Sequence, residues 1–184
     1  MNWNEYLNEF ETILNSDNPP APYDNAEYWN YTKLNNARLN RWLKTAVLSE
    51  NTKEIVHSVQ QNQKWILITE PWCGDAAHIA PIIYMMSALN PKIELIVQLR
   101  DTDSEIDKYL TNGGKSIPIL VVRDAVGKDL FHWGPRPSNA QELFSELKQD
   151  NASFEEIKEA LQYFYNKDKT ESIQKEITAL LKIY

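Results

Sequence analysis

The chain has 184 residues, enough for one compact domain with a sizeable core, and 42% hydrophobic with 11% aromatic residues is the composition of a folded globular protein. Its formal charge of −7 argues against general nucleic-acid binding, which needs basic patches. No apolar run approaches a membrane span, Met1-Asn2-Trp3-Asn4-Glu5 lacks the regions of a signal peptide, and a single cysteine cannot close an intrachain disulfide; a cytoplasmic protein without membrane contact is expected.

In chain order, Trp3, Tyr6, Leu7, Phe10, Ile13 and Leu14 share one face at i, i+3, i+4, i+7 spacing, which predicts a helix over 3–15. Asp17-Asn18-Pro19-Pro20-Ala21-Pro22 ends it with a stiff linker. A second helix is expected over 25–48, with Tyr28, Tyr31, Leu39, Trp42, Leu43, Ala46 and Val47 as its stripe. An aromatic stripe at helical spacing belongs to a core more often than to a ligand groove, so it is read as core. A short third helix, about 50–60, carries Ile55, Val56 and Val59.

From Trp65 the pattern changes. Trp65-Ile66-Leu67-Ile68-Thr69 is an apolar, β-branched run, the pattern of a strand buried on both faces, and Glu70-Pro71 stops it. Trp72-Cys73-Gly74-Asp75 follows, then a helix over 74–89 carrying Ala76, Ala77, Ile79, Ala80, Ile82, Ile83 and Met86. Asn90-Pro91 ends that helix, and a strand over 93–99 completes a βαβ unit whose crossover should be right-handed. Asp101-Thr102-Asp103-Ser104-Glu105 predicts another helix, its acids placed in the first turn where the dipole favours them; the cluster is structural rather than a metal site. Thr111-Asn112-Gly113-Gly114 breaks it, and Gly113-Gly114 is a turn, not a phosphate loop.

Strands are expected over 118–122 and 130–133, joined by a turn at 124–128. Ser138-Asn139-Ala140-Gln141 has capping-box form and opens a helix with Leu143, Phe144 and Leu147 inward. Ser153-Phe154-Glu155-Glu156 repeats the signature before Ile157, Ala160, Leu161 and Phe164, and a last helix aligns Ile173, Ile177, Leu180, Leu181 and Tyr184.

The only cysteine thus sits where a strand ends and a helix begins, where unpaired amides and the positive end of the dipole favour a thiolate. An exposed, nucleophilic Cys73 with a pKa modestly below the free value is expected, with Asp75 opposing the drop. His78 follows Asp75 by three, so the two form either a surface pair or, less favoured, a relay that poises a proton near the sulfur. His57 and His132 have no partner at metal-ligand spacing, so no metal site is expected.

Trp72-Cys73-Gly74, Pro81 eight positions after the cysteine, Ile117-Pro118 opening a later strand and Gly134 past the final hairpin together resemble the thioredoxin family over roughly 64–148. The resemblance implies an α/β, thioredoxin-like fold: a central mixed sheet of about four strands flanked by helices. In the single domain 1–184 it implies an N-terminal helical extension over 1–63, the core over 64–148 and a C-terminal helical extension over 149–184. It also implies a cis Ile117–Pro118 bond against the reactive sulfur. The catalytic candidates are Cys73, Asp75 and Pro118; the substrate-binding candidates are Trp72, Gly74, Ile117, Pro118 and Gly134; His78 is the candidate relay. Two positions depart from the family pattern: Ala76 stands where a second cysteine belongs, and Leu67 where the preceding strand usually carries a buried acid.

Three functions follow. The first is a monothiol thiol-disulfide oxidoreductase in which Cys73 forms a mixed disulfide with a protein disulfide and an external low-molecular-weight thiol resolves it. The second is a redox-inactive protein- or peptide-binding module. The third, ranked last because Cys73-Gly74-Asp75-Ala76 is not the motif of monothiol glutaredoxin relatives, is iron–sulfur cluster binding. The first two readings need no cofactor.

Overall fold

A computed structural model describes residues 1–183. The sheet is built on β1 (Gln63–Thr69), whose five last side chains are all buried, as a strand covered on both faces requires. β2 (Ile93–Leu99) lies parallel to it, with Trp65 opposite Leu95. On the other side β3 (Ile119–Arg123) runs antiparallel, with Trp65 opposite Val122, and β4 (Asp129–Trp133) pairs antiparallel with β3. The order is β2-β1-β3-β4, a mixed four-stranded sheet with β1 inside it.

Helices cover this sheet. α1 (Trp3–Leu14) opens with a capping box between Asn2 and Glu5 and buries Trp3, Tyr6, Phe10 and Ile13. α2 (Ala26–Thr45) is capped by Asn25, and α3 (Glu50–His57) by Ser49. α4 (Gly74–Ser87) is buried on nearly every side, in keeping with its largely apolar composition. α5 (Ser138–Gln149), α6 (Phe154–Asp168) and α7 (Glu171–Leu181) follow β4. Trp3 of α1, Leu39 of α2, Ile79 of α4, Leu161 of α6 and Ile177 of α7 belong to one apolar cluster with Trp65 and Leu67, so both sets of terminal helices share the core of the sheet. Tyr184, aligned with Ile173 and Ile177 by spacing, lies outside the described residues. Among the described residues no helix is long and apolar enough to cross a membrane.

Two expected features do not form. The helix predicted from Asp101 is reduced to a single 3-10 turn, Ile106–Lys108. Short polar side chains there satisfy the backbone locally instead, Thr102 Oγ1 donating to the Leu99 carbonyl and Ser104 Oγ to that of Arg100, while the Asp101 amide donates to the distant Glu70 carboxylate. The capping box at Ser138 is also absent. Pro137 is the N-cap, and the Ser138 amide donates to Glu176 of α7 at 2.8 Å, a tertiary partner that replaces the local one. The box at Ser153 and Glu156 does form.

Candidate functional site

Glu70-Pro71 ends β1 and the chain turns sharply into α4. The Cys73 amide donates to the Glu70 carbonyl at 3.0 Å, and buried Asn35 of α2 donates to the Pro71 carbonyl at 3.1 Å, fixing the turn from two sides. Cys73 is the N-cap of α4, with no side-chain cap bond of its own. Its thiol donates to the Ile117 carbonyl at 3.4 Å, and the Ile117–Pro118 peptide bond is cis.

The sulfur is not exposed as expected. Cys73 is 6% exposed, packed with Ile66, Ile68, Ala76 and Ile117. Burial, with the Asp75 carboxylate adding to it, pushes its pKa up to about 12, against the opposing pull of the Ala76 and Asp75 amides and Arg136. The helix terminus therefore acts in the expected direction but is outweighed by desolvation.

Asp75 and His78 are both buried, which rules out a surface pair. Asp75 accepts from Arg136 Nη2 at 2.6 Å and from the Tyr165 hydroxyl at 2.7 Å. The His78 ring stacks on Tyr165 with centroids 4.4 Å apart and planes within 10°. Trp42 Nε1 donates to His78 Nδ1 at 2.8 Å; an indole can only donate, so that nitrogen carries no proton. Burial, with the nearby Arg38 and Arg41 cations, lowers the histidine pKa to about 3. Tyr165 thus stands between the two residues: bonded to one and stacked on the other, in place of the direct pair read from their spacing.

Beside Cys73 opens a cavity of about 810 Å³. It is lined by Trp72, Cys73, Gly74, Asp75, His78 and Ile117, by Tyr28, Tyr31 and Arg38 of α2, by Arg136, and by Tyr165 of α6. Tyr28 and Tyr31, expected in the core stripe, are cavity residues instead, and Tyr28 is 43% exposed. Trp72 is held edge-on to Tyr28, with Arg100 over its ring at 4.6 Å. Gly74 is required by close approach: a Cβ there would lie 2.3 Å from the Tyr31 hydroxyl oxygen. Pro118 and Gly134 do not line the cavity. Gly134, at φ +128°, passes behind the cis peptide, where a Cβ would meet the Pro118 carbonyl oxygen at 2.3 Å.

Sequence reasoning missed Tyr31, Arg38, Arg136 and Tyr165 as site residues. The i, i+7 spacing of Tyr31 and Arg38 placed them on one face of α2, and Arg136 stands between Pro135 and Pro137; Tyr165 carried no signal. Leu67 is fully buried, and β1 runs instead to a buried acid at Glu70, whose pKa burial raises. Among the described residues no group of three His, Cys, Asp or Glu side chains is arranged to hold a metal ion.

The profile of the family described as thioredoxin matches residues 21–149. A protein of unknown function from Pseudomonas aeruginosa has a similar structure, with a TM-score of 0.58 at 16% identity, covering 99% of this chain and 98% of that one. A crystallised HIV epitope-scaffold is similar at a TM-score of 0.59 and 15% identity, covering 100% of this chain and 99% of that one. At these identities the likeness concerns the fold. No curated protein matches the chain.

Proposed function

Because the chain belongs to the thioredoxin family, we propose that it is a binding module of that fold, receiving a ligand in the cavity beside Cys73 without dithiol turnover. The observation that carries this reading is the state of the sulfur: 6% exposed, its pKa pushed up to about 12, with fully buried Ala76 where a resolving thiol would stand. A thiol held protonated is a poor nucleophile. Ile117, on the cis bond, and Trp72 then serve as walls for a ligand.

The test is thiol reactivity in the native protein. Cys73 should react with an aromatic disulfide reagent slowly when folded and fast in denaturant, and the protein should not reduce insulin with thioredoxin reductase and no added thiol. Ala76→Cys separates a missing thiol from an unsuited scaffold: no gain of insulin reduction supports the module.

One observation favours a second reading, a monothiol oxidoreductase. The sulfur lines the cavity, and the Ala76 and Asp75 amides favour its thiolate. In that chemistry Cys73 attacks a disulfide, a Cys73–S–S–R bond forms as the R–S–S–R′ bond breaks, and R′ departs as a thiolate that takes up the proton Cys73 gives up. An external low-molecular-weight thiol then attacks the mixed disulfide, becomes disulfide-bonded to R and regenerates the Cys73 thiol. Accumulation of Cys73 mixed disulfide from an oxidised low-molecular-weight thiol, under native conditions, would favour this reading over the module.

A further inference from the structure

We propose that the cavity beside Cys73 takes a small organic monoanion, a carboxylate on an aromatic or branched apolar body, with Arg38 as its anchoring cation. The assignment rests on the binding-module reading and adds the class of ligand. It follows from the charges on the cavity wall. Arg136 is paired with Asp75 at 2.6 Å, Lys158 with Glu155 at 2.5 Å, and Arg100 with Asp101 at 2.7 Å. Arg38 is not paired. Its guanidinium donates to Asn35 Oδ1 at 3.1 Å and lies over the Tyr31 ring at 5.5 Å, and among the described residues no carboxylate is within ion-pairing distance of it.

The remaining wall acid, Glu27, does not neutralise it. Glu27 is exposed and stands eleven residues earlier on α2, about 16 Å away along the helix axis. A second donor is unused as well: Arg136 Nε is buried without a hydrogen-bond partner. In a chain of net charge −7, the cavity wall therefore carries one cation without a carboxylate partner, and one of its residues, Arg136, keeps a buried N–H without a hydrogen-bond partner.

These features select the ligand. One free cation matches one anionic group, whereas a dianion would bring an unpaired charge into a partly buried site. The planar fork of a guanidinium fits a carboxylate with two parallel bonds. The body must be apolar, because Tyr28, Leu34 and Phe154 on the wall are 43%, 46% and 66% exposed, and Trp72 and Phe144 extend the same lining. A cavity of about 810 Å³ is of small-molecule size, and Glu27 at its rim disfavours an acidic peptide running outward.

The experiment titrates the full chain by calorimetry with three matched probes: 4-phenylbutyrate, 4-phenylbutanol and 4-phenylbutylammonium. The carboxylate should bind at least about tenfold tighter than the alcohol, and the ammonium weakest, because a charge-assisted bond contributes a factor of about ten or more. Arg38→Gln should remove that preference while leaving the alcohol's affinity in place, and Arg38→Lys, which keeps the charge but not the fork, should retain only part of it. Retained alcohol binding shows that the variant cavity is intact. Equal affinity for carboxylate and alcohol, an unchanged preference in Arg38→Gln, or no carboxylate binding up to roughly millimolar concentration overturns the assignment. If the alcohol or the ammonium binds in preference, the binding-module reading survives and only the anion is wrong. Fast native labelling of Cys73 by disulfides refutes the module and leaves the carboxylate preference to be read from Arg38→Gln.

Discussion

Replacing Asp75 by Asn tests the electrostatics of Cys73 most directly. Burial is the main cause of the raised thiol pKa and the Asp75 carboxylate is the next, together bringing it to about 12. At about pH 8 such a thiol is ionised in about one molecule in ten thousand, against roughly a quarter for a free cysteine of pKa about 8.5. Alkylation of the folded protein should therefore run roughly 2,000-fold slower than that of the unfolded chain, before any steric hindrance. Asn preserves the shape of Asp75 and removes its charge. A neighbouring charge moves a pKa by about one to three units, so the alkylation rate should rise about tenfold to a thousandfold and still stay below the unfolded rate. Arg136 keeps its charge and acts in the same direction. The change also leaves that buried guanidinium without its carboxylate, at a cost of about 3–5 kcal/mol, so rates must be measured where the variant is still folded. The assay is the pH dependence of iodoacetamide labelling, followed by intact mass, for both proteins in native buffer and in urea. An unchanged or slower native rate in Asp75→Asn would show that the carboxylate does not act on the sulfur, and the account of the site would fail.

Three further outcomes follow from the same structure. Between pH 6.5 and about pH 5 the unfolded chain binds a proton at His78 that the folded chain, with its pKa near 3, does not, so stability should fall by about 2 kcal/mol; urea melts of His78→Gln should lose this pH dependence, and its persistence would assign it elsewhere. Above about pH 9 the unfolded Cys73 ionises while the folded thiol, with its pKa near 12, does not, so stability should drop by about 1.4 kcal/mol per pH unit. Cys73→Ala should be free of that slope between about pH 9 and about pH 10, before tyrosines ionise in the unfolded chain. Gly134→Ala, at φ +128° with its Cβ 2.3 Å from a backbone oxygen, should cost about 3 kcal/mol or more in the same melts, and a loss under about 1 kcal/mol would mean that the turn behind Pro118 can shift.

The elements that carry the fold were legible because their signals are local. The run from Trp65 to Ile68 is apolar at every position and, with Thr69, forms the strand inside the sheet, and the pattern over 93–99 matches β2 at both ends. Ser153 and Glu156 cap each other within one turn, so spacing alone was enough to find them. The same signature failed at Ser138 because Glu176, 38 residues away, binds the amide first. The acidic stretch after Arg100 failed because Thr102 and Ser104 bond neighbouring carbonyls, a choice between two local solutions that propensity does not resolve.

At the site the division is sharper. Sequence by itself determined that a lone cysteine stands at the start of a helix after a buried strand, that Gly74 follows it, and that Ala76 occupies the position three residues on. Only the tertiary structure decided what kind of thiol it is. α2 brings Tyr31 and Arg38 over the turn, and α6 brings Tyr165 to Asp75 across 90 residues of sequence. A thiol's acidity depends on how much water reaches it and which charges surround it, and both are set by segments far apart in the chain. Spacing can place a sulfur at a helix terminus, but only the packing of distant helices can take the water away.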